Sequence, residues 1–126
     1  MGLFRTEAEY QAYLARRATP AARSASKAHR EQLEASLLAH VREQARLNGW
    51  LVYHTQDSRG SEPGFPDIVA VRPNVVLFSE LKRETEKPTT EQVIWGDVLS
   101  HASRVDYRLW RPSDADEITR YFWMET

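Results

Sequence analysis

A chain of 126 residues with 41% hydrophobic content suits one domain built around a single core. Cysteine is absent, which excludes disulfides and thiolate metal sites, so any metal must take oxygen or imidazole donors. Net charge is −1, but residues 1–50 carry eight Lys/Arg against five Asp/Glu, and residues 51–126 carry nine against thirteen. A basic half beside an acidic half would let DNA lie across the first and react at the second. No apolar run approaches the ~20 residues of a membrane span. The N-terminus lacks the charged-then-apolar layout of a secretory signal, so a cytoplasmic protein is expected.

Taken in order, Thr6-Glu7-Ala8-Glu9 fits a capping box opening a short helix to about Arg17, and Thr19-Pro20 breaks it. Residues 1–25 are therefore expected to form an N-terminal helical arm, with the main domain at 26–126. Ser26 caps a predicted helix to about Asn48, in which Leu33, Leu37, Val41 and Ala45 recur every four residues. Asn48-Gly49 stops it. Trp50 to Thr55 reads as a strand, the turn-rich segment 56–66 as a loop, and Asp67 to Val71 and Val75 to Lys82 as two further strands. Thr89-Thr90-Glu91-Gln92 opens a helix to about Ala102, Val105 to Trp110 forms a fourth strand, and Ser113 to Asp116 caps a last helix ending near Trp123. The order is α-α-β-β-β-α-β-α, an α/β arrangement with one sheet and helices packed on it.

The chemistry concentrates at Gly64-Phe65-Pro66-Asp67 and Glu80-Leu81-Lys82. Side chains alternate along a strand, so Glu80 and Lys82 share a face, roughly 6.5 Å apart along it. The short Arg72-Pro73-Asn74 corner predicts an antiparallel hairpin, which brings Asp67 at the start of one strand to Glu80 near the end of the next. Two carboxylates that close repel by on the order of 4 kcal/mol at an effective dielectric of about 20. A shared proton, Lys82 or a bound cation must offset this. Mg²⁺ takes one or two carboxylates together with waters and phosphate oxygens. With the cation in place, Lys82 is free to orient or help deprotonate a water, or to neutralise charge on a phosphate.

Together with the flanking residues, this motif resembles the PD-(D/E)XK nuclease superfamily and, more narrowly, small stand-alone VRR-NUC domains of phages and bacteria. The resemblance runs from about Glu34 to the C-terminus. Glu34, Gly49-Trp50-Leu51-Val52-Tyr53-His54, Ser58-Arg59-Gly60-Ser61, Pro63 to Asp67, Glu80-Leu81-Lys82, Gln92 with Trp95, and Trp110-Arg111-Pro112 carry it. It implies a restriction-endonuclease-like fold with a central mixed four-stranded sheet. It also implies Mg²⁺- or Mn²⁺-dependent cleavage of DNA, with branched DNA and Holliday junctions as the associated substrates and a homodimer as the associated assembly. Asp67 and Glu80 match the metal-binding carboxylates, Lys82 the catalytic lysine, and the Leu81 carbonyl the coordinating backbone oxygen.

Glu34 could reach the sheet edge and bind metal directly or through water; otherwise it pairs on the surface with Arg30. Gln92 could contact the lysine, the water or a phosphate, or could serve only as the helix cap. Ser58, Arg59 and Ser61 suit a phosphate-gripping loop, with ordinary turn chemistry as the alternative. Arg83 and Lys87 flank the site as DNA contacts or as solvated surface. His54 and His101 read as structural, and the four Trp as core or dimer-interface residues. The chief rival to a metal-dependent nuclease is a DNA-binding module of the same fold without chemistry. A metal-free glycosidase-like hydrolase is disfavoured because no sugar-binding cleft signature accompanies the carboxylates.

Overall fold

The computed structural model describes residues 27–55 and 60–124, with positions 6 and 8 besides. The arm reading of 1–25 and the Ser26 cap lie outside the described residues. Helix α1 spans Lys27–Leu47, strand β1 Leu51–His54, β2 Ile68–Arg72 and β3 Val75–Leu81. Helix α2 spans Thr90–Ser100, β4 Val105–Trp110 and α3 Ala115–Met124. These bounds fall within a residue or two of the sequence reading, apart from the last helix. There a 3-10 turn at Pro112–Asp114 comes first, with Asp114 Oδ2 accepting the Arg111 N–H at 2.8 Å.

The Asn48-Gly49 stop is a Schellman closure: Gly49 N–H bonds Arg46 O at 3.1 Å and Trp50 N–H bonds Ala45 O at 3.0 Å. It needs Gly49 at φ +82, a conformation glycine adopts without strain. The chain thus turns back at once into β1.

The sheet runs β1-β2-β3-β4, antiparallel across the first two junctions and parallel across the last. Arg72 faces Val75, so Pro73-Asn74 is a two-residue turn, with Asn74 at φ 76 taking the left-handed position. This register sets Ile68 opposite Ser79 and Ala70 opposite Leu77.

One sheet face carries Ile68, Ala70, Leu77 and Trp110 and is covered by α1 and α3, where Leu37, Val41, Ile118 and Phe122 complete the core. Each large side chain buried this fully contributes roughly 1.5–3 kcal/mol. Trp50 and Trp110 lie in that core as the sequence suggests, but Trp123 is 54% exposed, its Nε1 donating to Gln44 Oε1 at 2.7 Å. The α1 stripe also buries two polar residues, His40 and Gln44. Helix α2 lies on the opposite face, and this second face holds the site. Among the described residues no helix is long and apolar enough to cross a membrane.

Candidate active site

The segment leading into β2 is docked from both sides. Gly64 sits at φ +87 against the first turn of α2, so close that an added Cβ would lie 2.5 Å from the Glu91 carbonyl carbon. Phe65 packs edge-on against Trp95 of α2 (centroids 5.3 Å apart) and Phe78 of β3 (6.0 Å). Trp95 Nε1 donates to Pro63 O at 3.1 Å. From the β1 side, Thr55 Oγ1 donates to Pro66 O at 3.1 Å, and Thr55 N–H to Asp67 O at 2.9 Å. Asp67 therefore leaves a backbone fixed on each flank, beside the end of β3.

There it meets Glu80. Asp67 Oδ2 accepts the Leu81 N–H at 2.9 Å, and its carboxyl is hydrogen-bonded to that of Glu80. Glu80 is 2% exposed. Burial, the hydrogen bond from the Asp67 side and the Asp67 charge push its pKa up to about 9, against a smaller downward pull from Lys82. Without a cation Glu80 thus keeps its proton at neutral pH. Lys82, 7% exposed, follows on the same face, its Nζ 3.6 Å from Glu86 Oε2. Burial works against the Glu86 carboxylate, yet the Arg83 N–H and the Lys82 and Arg83 charges hold its pKa below the ordinary value.

Gln92 is the helix cap, and its further contact is with Glu80 rather than with the lysine. Thr89 Oγ1 accepts the Gln92 N–H at 3.2 Å and Gln92 Oε1 accepts the Thr89 N–H at 2.8 Å, a complete capping box. Its Nε2 also donates to Glu80 Oε1 at 3.3 Å.

Other expected residues stand further off. Glu34 belongs to the helix covering the opposite face, and its Oε1 meets Arg83 Nε at 3.1 Å, both side chains about half exposed (48% and 44%). Among the described residues no three His, Cys, Asp or Glu side chains gather as a metal cluster, so Glu34 does not join the Asp67–Glu80 pair. Ser58 and Arg59 lie outside the described residues; Ser61 is half-buried and Lys87 exposed. His101 caps the C-terminal end of α2, its Nδ1 2.8 Å from Asp97 O, and His54 is a half-buried strand residue, as the structural reading of both expects.

Sequence reasoning missed Tyr107. Its register partner is Phe78, which places it on the Glu80 face. It occupies the space left by Gly96, whose added Cβ would meet the Tyr107 ring at 2.7 Å. Burial, then the Glu80 and Asp67 charges, push its phenol up to about 12. A glycine in the interior of a predicted helix was the one available signal.

A mixed four-stranded sheet with helices on both faces, and two acidic groups closing on each other at one end of its central strands, defines an α/β fold of the restriction-endonuclease type. The chain belongs to the VRR-NUC domain family, whose model matches residues 5–111. It is also similar to a solved structure titled VRR_NUC domain, at 21% identity and a TM-score of 0.56, over 71% of this chain and 96% of that one. At that identity the likeness speaks for the fold. No curated protein matches the chain. Membership of the family gives the chain a nuclease-type function.

The donor set fits a hard divalent cation. Two carboxyl groups are held in contact, one of them buried with its pKa raised by that burial and by its acidic neighbour, and every side-chain donor of the pair is oxygen.

Proposed function

We propose that the protein is a divalent-metal-dependent endonuclease that hydrolyses DNA phosphodiester bonds in branched or structured DNA, in the manner of a Holliday-junction resolvase. The observation that carries this reading is the contact between Asp67 and Glu80 with the Lys82 amine buried on the same face. Asp67, Glu80 and the Leu81 carbonyl would hold Mg²⁺, with Mn²⁺ able to substitute. When bound, the ion supplies Lewis-acid polarisation of the phosphate and neutralises its charge. The Leu81 carbonyl suits the role because a strand residue's N–H and C=O leave on one side, and here that N–H is on Asp67.

Lys82 directs its amine at the attacking water or the phosphate. Gln92 holds the Glu80 carboxyl in place from α2. Glu34 supports the site from α1, through Arg83 or by turning towards the metal once DNA engages Arg83. Ser58, Arg59, Ser61, Arg83 and Lys87 contact the DNA backbone on the two sides of Asp67. A homodimer places two such sites across a symmetric junction, with residues 1–25 as an arm of the nuclease domain available to that interface.

The test is a panel of linear, flap, single-stranded and four-way DNA incubated with Mg²⁺, Mn²⁺ or EDTA. Metal-dependent cleavage, strongest on branched DNA and abolished by Asp67→Asn and Lys82→Ala without loss of fold or DNA binding, is expected. Undiminished cutting by either variant refutes the assignment. Retention of branched DNA with no cutting under any ion would favour a binding module.

A further inference from the structure

We infer that Arg111 and Glu86 are positioning residues for Lys82: Arg111 pins the turn at 83–86, and that turn delivers the Glu86 carboxylate to the lysine amine. This rests on the reading of Lys82 as the group beside the reacting phosphate. A lysine amine carries three rotatable donors on a flexible stem, so its direction is set by its partner. Buried as Lys82 is, its amine also calls for a partner of opposite charge beside it. Glu86 Oε2, 3.6 Å away, supplies both.

Glu86 is itself fixed. Its Oε1 accepts from the Arg83 N–H at 3.2 Å and from Arg83 Nε at 3.4 Å, and its own N–H closes the turn onto Arg83 O at 3.2 Å. Arg111 Nη1 then binds three carbonyls of this turn: Arg83 O, Glu84 O at 3.2 Å and Glu86 O at 2.7 Å. The clamp is in register with the lysine, because Lys82 N–H bonds Trp110 O at 2.9 Å and Arg111 is the next residue. A second tether runs from Glu84, whose carboxylate accepts from the Ser113 N–H and from Ser113 Oγ at 3.0 Å. The chain of contacts runs from β4 through the turn to the amine. It gives Arg111 a part in the site that its place outside the carboxylate–lysine motif does not suggest.

The chain has three lysines, Lys27, Lys82 and Lys87, so selective ¹³C-lysine labelling resolves Lys82 directly. In the wild-type protein its ε-methylene protons are expected to be inequivalent, as befits a fixed amine. Arg111→Lys, which keeps the charge but loses the planar fork, and Glu86→Gln, which leaves the Arg111 clamp intact, should each collapse that inequivalence. Glu86 is 34% exposed, so the second variant folds even if the first does not. In Mg²⁺ with four-way DNA, both variants should lower kcat about tenfold and shift KM less than twofold, as expected when a catalytic group is misplaced while the substrate is still held.

An unchanged Lys82 signal in both variants overturns the inference, and so does loss of Lys82 order with kcat unchanged. If wild-type protein cuts nothing while the Lys82 signal responds as described, the nuclease reading has failed and the positioning role stands.

Discussion

The Gln92 side chain joins the start of α2 to the buried carboxyl of Glu80, and the two ends of its amide are not interchangeable. Oε1 accepts the Thr89 N–H at 2.8 Å, which forces Nε2 towards Glu80 Oε1 at 3.3 Å. The helix cap therefore orients the donor that serves the site. Gln92→Glu keeps an acceptor for the cap but replaces the donor with a carboxylate. It should cost less than about 1 kcal/mol in stability while lowering cleavage at least tenfold. Gln92→Ala should lose both, with about 0.5–2 kcal/mol of stability gone. Thermal melts beside cleavage rates separate the two variants, and wild-type activity in Gln92→Glu would remove the amide from the site.

Glu80 makes the fold sensitive to alkaline pH. Its pKa is about 9 in the folded protein against an ordinary 4.5, so the folded state keeps a proton that the unfolded chain releases. Stability without metal must then fall as pH rises from 4.5 towards 9. Glu80→Gln should flatten that slope, raise Tm by a few degrees near pH 8 and abolish cleavage, a gain in stability at the expense of activity. A divalent cation should raise the wild-type Tm and leave the variant's unmoved. Melts in EDTA and in Mg²⁺ across this range decide it; a variant less stable than wild type at pH 8 contradicts the account.

The meeting of Asp67 and Glu80 was legible because a two-residue turn and strand alternation fix the register of a hairpin without any tertiary information. Gln92 was legible only as an ambiguity, since the Thr-x-x-Gln pattern that caps a helix is the pattern that also reaches Glu80. Glu34 shows where spacing stops helping. Its distance from Trp50 fixes its phase on α1, but Arg83 at the end of the sheet holds its carboxylate, and that pairing has no local signature. Tyr107, and the hold of Arg111 on the turn at 83–86, were hidden for the same reason. Both reach the site through the parallel pairing of β4 with β3, a long-range association made across α2. His40 and Gln44 were hidden because the apolar period on α1 says nothing of polar residues lying within the same stripe.

Gly64 and Gly49 share a positive φ but differ in surroundings, and that difference is measurable. An added Cβ at Gly64 would fall 2.5 Å from Glu91 C and 2.6 Å from Glu91 O, backbone atoms that cannot move aside without shifting α2, whereas at Gly49 nothing lies within 4 Å. Gly49→Ala should cost only the conformational penalty, about 1 kcal/mol. Gly64→Ala should cost about 2 kcal/mol or more and also move Asp67, so that cleavage falls much further than stability alone explains. Denaturant unfolding with cleavage assayed well below the midpoint tests both. Equal costs at the two positions would mean that the loop is not docked on α2 as described.

The acid side of the stability profile is expected to belong to His40, on the face of the sheet away from the site. Its Nε2 lies 3.1 Å from Ala115 O and 3.1 Å from Thr119 Oγ1, joining α1 to α3. Burial lowers its pKa below the ordinary 6.5, outweighing the Ala115 carbonyl and the Glu43 and Asp116 charges, which raise it. The unfolded chain therefore takes up a proton first on acidification. Stability is held above about 6.5 and lost as pH falls from there through the folded pKa, the reverse of the Glu80 slope. The two windows overlap below about pH 6.5, where the opposed slopes offset each other, so the acid limb stands out most clearly once Glu80 no longer titrates. His40→Gln keeps a donor near Nε2 but cannot titrate, so it should flatten the acid limb, cost about 1 kcal/mol near pH 7 and leave cleavage at pH 8 unchanged. Glu80→Gln should leave the acid limb in place. Melts of the two single variants and the double variant from pH 5 to pH 9 test the independence of the limbs, and an acid limb that survives His40→Gln assigns it to other groups.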